Sequence, residues 1–92
     1  MIASFGDDET EALAGGERVA RFEGFERVAR RKLRQLEIAR SLEDLRAPPG
    51  NRLERLKGDR EGQMSIRIND QWRLCFYWSA IGASEVEIVD YH

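Results

Sequence analysis

The chain has 92 residues, of which 41% are apolar, and this length and composition fit one globular domain over residues 1–92 with a single core. No apolar run approaches the roughly 20 residues of a membrane-spanning helix, and the N-terminus lacks a secretion signal, so we expect a cytoplasmic protein without a membrane partner. A single cysteine and a single histidine exclude a disulfide framework and a zinc site, and neither a metal nor another cofactor is predicted.

The net charge of −2 conceals a separation of charge along the chain. Residues 1–17 carry five acids and no base, whereas residues 18–40 carry eight bases and three acids, a local net charge of +5. A basic segment of this kind can bind an anionic polymer, but it is more often a solvated helix surface. Charge alone leaves both interpretations open.

The N-terminal half carries helical patterns. A short strand at residues 2–5 is followed by acids that favour a helix N-terminus and by Gly15-Gly16, which ends that helix. From about Arg18 to Arg40, apolar residues recur at steps of three and four, which predicts one amphipathic helix with Gly24 as its weak point. Its buried stripe comprises Phe22, Phe25, Ala29, Leu33 and Leu36. The bases on its other faces are Arg27, Arg30, Arg31 and Arg34.

Strands are predicted after residue 52. Ser41 caps one further helical turn with Asp44 at its third position, and residues 48–51 then form a loop. Residues 53–57 supply a first strand, residues 64–78 form a hairpin around Asn69-Asp70, and residues 81–84 turn the chain into a last strand from Val86. The result is an α+β domain in which N-terminal helices pack on a small, mainly antiparallel sheet. Met64, Trp72, Phe76 and Trp78 are predicted to be core residues rather than base-stacking residues.

The sequence contains no glycine-rich phosphate loop, metal-binding motif or serine nucleophile motif, so the remaining chemistry is general acid-base catalysis. Candidate groups cluster in residues 57–60 and 90–92, and Arg73 lies on a strand between them. Cleavage of RNA needs a base for the 2′-OH, cations for the phosphorane and an acid for the leaving oxygen. Lys57, Arg73 and His92 are of the right chemical types. From residue type alone, however, both cations are ordinary surface charges and the histidine belongs to an inert tail.

A resemblance to a known family favours a catalytic role for these residues. Four segments resemble the HigB-type toxins of the RelE/ParE superfamily, also called plasmid maintenance killer proteins. They are MIASF at residues 1–5, PPGNRLERLKGDREG at 48–62, NDQWRLCF at 69–76 and VEIVDYH at 86–92. Several motifs in the same order over the whole chain are far more specific than any one of them.

The resemblance implies a RelE-like microbial ribonuclease fold and a function as the toxin of a type II toxin-antitoxin system. Such a toxin is a metal-independent endoribonuclease, an mRNA interferase that cleaves the codon in the ribosomal A site. Its implied partners are the 70S ribosome with its messenger RNA and a helix-turn-helix antitoxin, HigA, through which it meets operator DNA only indirectly.

The resemblance also implies roles for individual residues. Lys57 and Arg73 would hold the scissile phosphate, while Asp90, Tyr91 and His92 would transfer protons and orient the nucleotide, with His92 as the first choice for the general acid or base. The further predicted contacts to substrate RNA or the ribosome are Arg60, Glu54 and the four arginines Arg27, Arg30, Arg31 and Arg34.

The chain departs from some relatives at Glu54, where they have a second histidine. A two-histidine mechanism is therefore not available, and Glu54 is either the general base or an ordinary surface glutamate.

Three other functions compete with the ribosome-dependent nuclease. They are a noncatalytic nucleic-acid-binding regulator that uses the basic helix, an inhibitor that binds the ribosome or antitoxin without cleavage, and a nuclease that acts on free RNA. The scarcity of strong acid-base groups favours help from the ribosome.

Overall fold

The computed structural model describes residues 1–91 and joins an N-terminal helical half to a C-terminal sheet. In chain order the elements are α1 (Asp8–Ala14), a 3-10 segment (Ala20–Phe25), α2 (Glu26–Ile38), α3 (Leu42–Arg46), a 3-10 turn (Pro49–Asn51), β1 (Glu54–Arg55), a 3-10 turn (Gly58–Arg60), β2 (Met64–Arg67), β3 (Trp72–Ser79) and β4 (Gly82–Asp90). No helix within residues 1–91 combines the length and apolar character that crossing a membrane requires.

The four strands form one antiparallel sheet in the order β1-β2-β3-β4. The predicted α+β architecture is therefore confirmed. The hairpin of β2 and β3 closes around Asn69, whose side chain accepts hydrogen bonds from the backbone N–H groups of Gln71 (2.9 Å) and Trp72 (2.8 Å). This short-range turn fixes the register, which pairs Ile66 with Leu74 and Arg67 with Arg73.

The two faces of the sheet have different compositions. Ile66, Leu74 and Ile88 share one face by their register, and all three are buried in the core cluster with the apolar stripe of α2. Cross-strand partners lie on the same face of a sheet. The opposite side, which we call the polar face, therefore carries Glu54, Ser65, Arg67, Arg73, Cys75, Glu87 and Val89. The predictions of core packing hold for Met64 and Phe76, which are both buried, and Trp72 and Trp78 are partly buried and pack against the same core.

The predicted helix over residues 18–40 is wrong in its first third. Residues 20–25 form a 3-10 segment, and Phe25 (φ −135°, ψ 21°) departs from helical geometry before α2 begins at Glu26. The low helix propensity of Gly24 permits this break. Both phenylalanine rings of this segment pack against one tryptophan: the centroid of Trp72 lies 5.8 Å from that of Phe22 and 4.9 Å from that of Phe25.

Strand boundaries also differ from the prediction, and the first strand, predicted over residues 53–57, is only Glu54–Arg55. The opening segment makes only isolated parallel bridges, from Ile2 to Ala83 and from Phe5 to Val86. The last strand begins at Gly82, inside the predicted turn over residues 81–84. Gly82 has φ +112°, and a Cβ atom there would lie 2.2 Å from the carbonyl oxygen of Met1. Glycine thus lets the N-terminus and β4 approach closely enough to pair.

Cys75 provides a chemical probe of this fold. Its side chain is fully buried, and burial raises the pKa of the thiol from 9.0 to about 11. At pH 8 we expect alkylation by iodoacetamide to be at least about 100-fold slower in the native protein than in denaturant, since the thiolate fraction falls about tenfold per pKa unit. The raised pKa stabilises the fold below pH 9, and this contribution is lost as the pH rises from 9 through 11. Equal alkylation rates in the native and the denatured protein would contradict the burial of the Cys75 thiol.

Candidate active site

A shallow open cavity of about 380 Å³ lies where β4 ends and the loop after β1 turns. Its lining residues are Lys57, Asp59, Arg60, Val89, Asp90 and Tyr91. Residues that are about 30 positions apart in the chain thus meet at one edge of the sheet. The cavity holds four of the residues predicted from sequence to act on RNA: Lys57, Arg60, Asp90 and Tyr91.

The loop that carries Lys57 is closed by backbone hydrogen bonds. The N–H of Leu56 donates to the carbonyl oxygen of Gln63 (2.9 Å), and the N–H of Gln63 donates to that of Arg60 (3.0 Å). Gly58 has φ +67°, a left-handed conformation that glycine adopts without strain. The tight turn leaves the side chain of Lys57 exposed, without an ion pair to any residue in 1–91.

Arg60 differs from Lys57 because its charge is already compensated. Its guanidinium lies 3.2 Å from a carboxylate oxygen of Glu87 and 3.0 Å from the side-chain oxygen of Gln63. These contacts tie the loop to β4 across the polar face. Arg60 therefore stabilises the loop, and its binding of substrate stays a prediction.

Arg73 is not the surface charge that residue type alone predicted. It is only 9% exposed, and its Nε donates to the Ser65 hydroxyl (2.8 Å) while Nη2 donates to the carbonyl oxygen of Arg52 (2.7 Å). No partner of Nη1 is found among residues 1–91. Arg73 pairs with Val89 across the strands, so it shares the polar face with a residue that lines the cavity.

Glu54 lies beside this arginine. One of its carboxylate oxygens is 3.9 Å from Nη2 of Arg73, and the Glu54 side chain is 55% exposed. This carboxylate partly neutralises the guanidinium and remains accessible to solvent. Its role as the general base stays a prediction.

The end of β4 is held against the β2–β3 turn. The carboxylate of Asp90 accepts a hydrogen bond from Nε2 of Gln71 (3.1 Å), and the N–H of Tyr91 donates to the carbonyl oxygen of the same glutamine (2.5 Å). These bonds keep Asp90 and Tyr91 at the cavity. His92, the predicted acid or base, lies outside the described residues.

The basic helix does not reach this cavity, because α2 packs against the apolar face of the sheet. Arg27, Arg31 and Arg34 are exposed on its outer side. Arg30 is half-buried, and its guanidinium donates to the carbonyl oxygen of Glu17 (2.9 Å) and to the carboxylate of Glu26 (3.2 Å). Three of the four predicted arginines thus form one outward stripe, and the fourth joins two segments of the fold.

The sequence reasoning missed a buried polar network between α2 and the loop that leads to β1. Lys32 is 7% exposed, and its amino group donates to the side chain of Asn51 (2.5 Å), which is fully buried. Desolvation lowers the pKa of Lys32, with further lowering by the nearby charges of Arg31 and Arg67. The position of Lys32 between Ala29 and Leu33 on the buried helix stripe was the available signal. Nothing in the local sequence around Asn51 indicated burial.

Comparison with known proteins identifies the family of the chain. Residues 16–92 match the family described as the RelE-like toxin of type II toxin-antitoxin system HigB. A stretch of 48 residues is 54% identical to Toxin HigB-1 of Vibrio cholerae serotype O1, and the match spans 52% of this chain and half the length of that relative. Because the family match extends over most of the sequence, the chain belongs to the HigB-like toxins, the RelE-like toxins of type II toxin-antitoxin systems.

Proposed function

We propose that the chain is a ribosome-dependent mRNA endoribonuclease that acts in the cytoplasm and cleaves the codon in the A site. The observation that carries the proposal is the cavity at which Lys57, Asp90 and Tyr91 meet, next to Arg73 on the polar face. An exposed cation, a carboxylate and a phenol at one solvent-accessible cavity are the kinds of group that acid-base cleavage of RNA uses.

The reaction needs no bound metal if these side chains provide the base, the acid and the stabilising positive charges. A base removes the proton of the 2′-OH, the 2′-oxygen attacks the adjacent phosphorus, and the bond to the 5′-oxygen breaks as that oxygen takes up a proton. The products are a 2′,3′-cyclic phosphate and a 5′-hydroxyl. Lys57 and Nη1 of Arg73 stabilise the charge on the phosphorane, since hydrogen-bond donors fixed before the reaction need not reorganise.

Proton transfer and the orientation of the nucleotide fall to Asp90, Tyr91 and His92 together. Imidazole is the side chain whose ordinary pKa lies closest to neutral pH, so His92 is our choice for the acid that protonates the 5′-oxygen. Asp90 and Tyr91 orient the nucleotide and assist in proton transfer, and Glu54, whose carboxylate lies 3.9 Å from Nη2 of Arg73, is a further candidate for the base. The ribosome aligns the message and so contributes part of the acceleration of the cleavage rate.

The outward stripe of Arg27, Arg31 and Arg34 is the proposed anchor on ribosomal RNA. Arginines at these spacings lie along one line of a helix, and exposed side chains of this kind bind phosphates without regard to sequence. A HigA-type helix-turn-helix antitoxin neutralises the toxin and connects it to operator DNA. An acidic segment of that antitoxin can occupy the same stripe, and the two uses are compatible.

The decisive experiment compares cleavage of a programmed messenger RNA by purified protein with and without 70S ribosomes. We expect cleavage only with ribosomes, and we expect it to be lost when His92 is deleted. Low concentrations of EDTA should leave the reaction unchanged as long as sedimentation shows intact ribosomes. Circular dichroism of the deletion variant serves as the folding control.

Other outcomes point to the alternatives. Arrested translation with intact message in every sample would support a noncatalytic inhibitor. Cleavage of the free message at an equal rate would show that the ribosome is unnecessary. Full activity without His92 would leave the nuclease in place and move the acid-base role to another residue.

A further inference from the structure

Asn51 occupies the centre of a hydrogen-bond network between the helices and the loop that leads to β1. Its side-chain oxygen accepts from Nζ of Lys32 (2.5 Å), and its amide nitrogen donates to the side-chain oxygen of Gln35 (2.9 Å) and to the carbonyl oxygen of Leu45 (3.0 Å). Both amide protons are therefore used. Because the side chain is fully buried, losing any one of these bonds leaves a polar group unsatisfied.

The residue after Asn51 adopts an unusual backbone conformation. Arg52 has φ 45° and ψ 59°, the left-handed region that residues other than glycine seldom occupy. Such a conformation persists when neighbouring contacts determine it, and the fixed Asn51 immediately precedes it. In this conformation the carbonyl oxygen of Arg52 accepts the hydrogen bond from Nη2 of Arg73 (2.7 Å).

The guanidinium of Arg73 is consequently held along one edge. Nε and Nη2 are bonded to Ser65 and Arg52, whereas no partner of Nη1 is found in residues 1–91. A planar guanidinium fixed at two nitrogens has a defined direction for the third. The carbonyl oxygen of Arg52 provides one of the two fixed points, and its location depends on the backbone next to Asn51.

We propose that Lys32 and Asn51 are positioning residues for Arg73, acting through the carbonyl oxygen of Arg52. This inference rests on the proposed role of Arg73 in holding the scissile phosphate. The network connects α2, on the apolar face, to the loop before β1. The location of α2 therefore helps to fix the carbonyl oxygen of Arg52 and, through it, the side chain of Arg73 on the polar face. Neither residue lines the cavity.

The test uses Asn51→Ala and Lys32→Met, which remove the two partners of the 2.5 Å bond. For Asn51→Ala we expect the single-turnover cleavage rate on saturating programmed ribosomes to fall roughly tenfold, because small displacements of an aligned group reduce rates strongly. Ribosome affinity should be unchanged, since the arginine stripe is untouched. Combining Asn51→Ala with Arg73→Lys should add less than about a twofold further loss, because residues that act through one group are not additive.

The matched control is Leu13→Ala, which truncates a buried side chain of α1 outside this network. All variants are compared at a temperature at which circular dichroism shows them to be folded. Leu13→Ala should lower thermal stability without changing the cleavage rate. Multiplicative losses in the double variant, or an equal loss of activity in Leu13→Ala, would overturn the positioning role.

A second measurement does not depend on cleavage. In a ¹⁵N spectrum of the full chain, the Nε–H resonance of Arg73 should exchange slowly with water, because it is bonded to the buried Ser65 hydroxyl. Asn51→Ala and Lys32→Met should shift or broaden this resonance, whereas Leu13→Ala should leave it unchanged. An unperturbed resonance in both network variants would refute the inference, whether or not the wild-type protein cleaves RNA. A wild-type protein without nuclease activity would refute the proposed function instead.

Discussion

Replacing Lys57 with methionine is expected to reduce the rate of ribosome-dependent cleavage about 100-fold, which corresponds to about 2.7 kcal/mol of transition-state stabilisation. The loss follows from the position of Lys57 at the cavity without an ion pair to any described residue, so that its charge is available to the phosphorane. The side chain is exposed, and stability should change by less than about 0.5 kcal/mol. Single-turnover kinetics on programmed ribosomes and urea denaturation measure the two effects.

Arg55→Met is the matched control for this variant. Arg55 is an exposed base on β1, two residues before Lys57, and it does not line the cavity. We expect its removal to leave the cleavage rate within about twofold of wild type, because Arg55 pairs with Met64 and so lies on the face of the sheet opposite to Glu54 and Arg73. Equal losses in the two variants would mean that net charge, not the location of Lys57, supports activity.

Replacing Phe76 with alanine should give the largest loss of stability, about 3–5 kcal/mol. Phe76 is fully buried on β3, a central strand of the sheet, and its ring centroid lies 6.4 Å from that of Trp78. Removing the ring takes away its burial energy and leaves a cavity that the surrounding strands fill only partly. In a domain of this size the melting temperature should fall by at least about 12 °C. Differential scanning calorimetry provides the measurement.

An apolar residue on the surface gives the comparison for Phe76. Ile38 is 64% exposed at the end of α2, so Ile38→Ala should change the melting temperature by no more than about 3 °C. A small effect of Phe76→Ala would show that the sheet and helices pack less tightly than the buried ring indicates.

Local sequence patterns were sufficient for much of the fold. The predicted turn with Ser41 as its cap is α3, in which the carboxylate of Asp44 accepts a hydrogen bond from the backbone N–H of Ser41 (3.3 Å). Alternating apolar residues predicted the β2–β3 hairpin, and Gly15 ends α1 as expected. These features depend on residues within a few positions of one another, which is why they can be read from the chain.

The candidate site depends on contacts between residues that lie far apart in the sequence. The resemblance to HigB toxins identified Lys57, Asp90 and Tyr91, but only the folded chain shows that they line one cavity. The resemblance also identified Arg73, but residue type alone predicted an exposed charge, whereas its side chain is buried against Ser65, eight residues away, and Arg52, 21 residues away. No local pattern contains these pairings, because they follow from strand register and from the path of the loop.

The sequence by itself determined the α+β class, the amphipathic part of α2, the hairpin and the family. Tertiary structure decided the break at Phe25, the burial of Lys32 and Asn51, and the direction of Arg73. The physical reason is the range of the interactions. Helix and strand periodicity reflects neighbours along the chain, whereas a buried charge or a fixed guanidinium is stabilised only when segments far apart in sequence supply its partners.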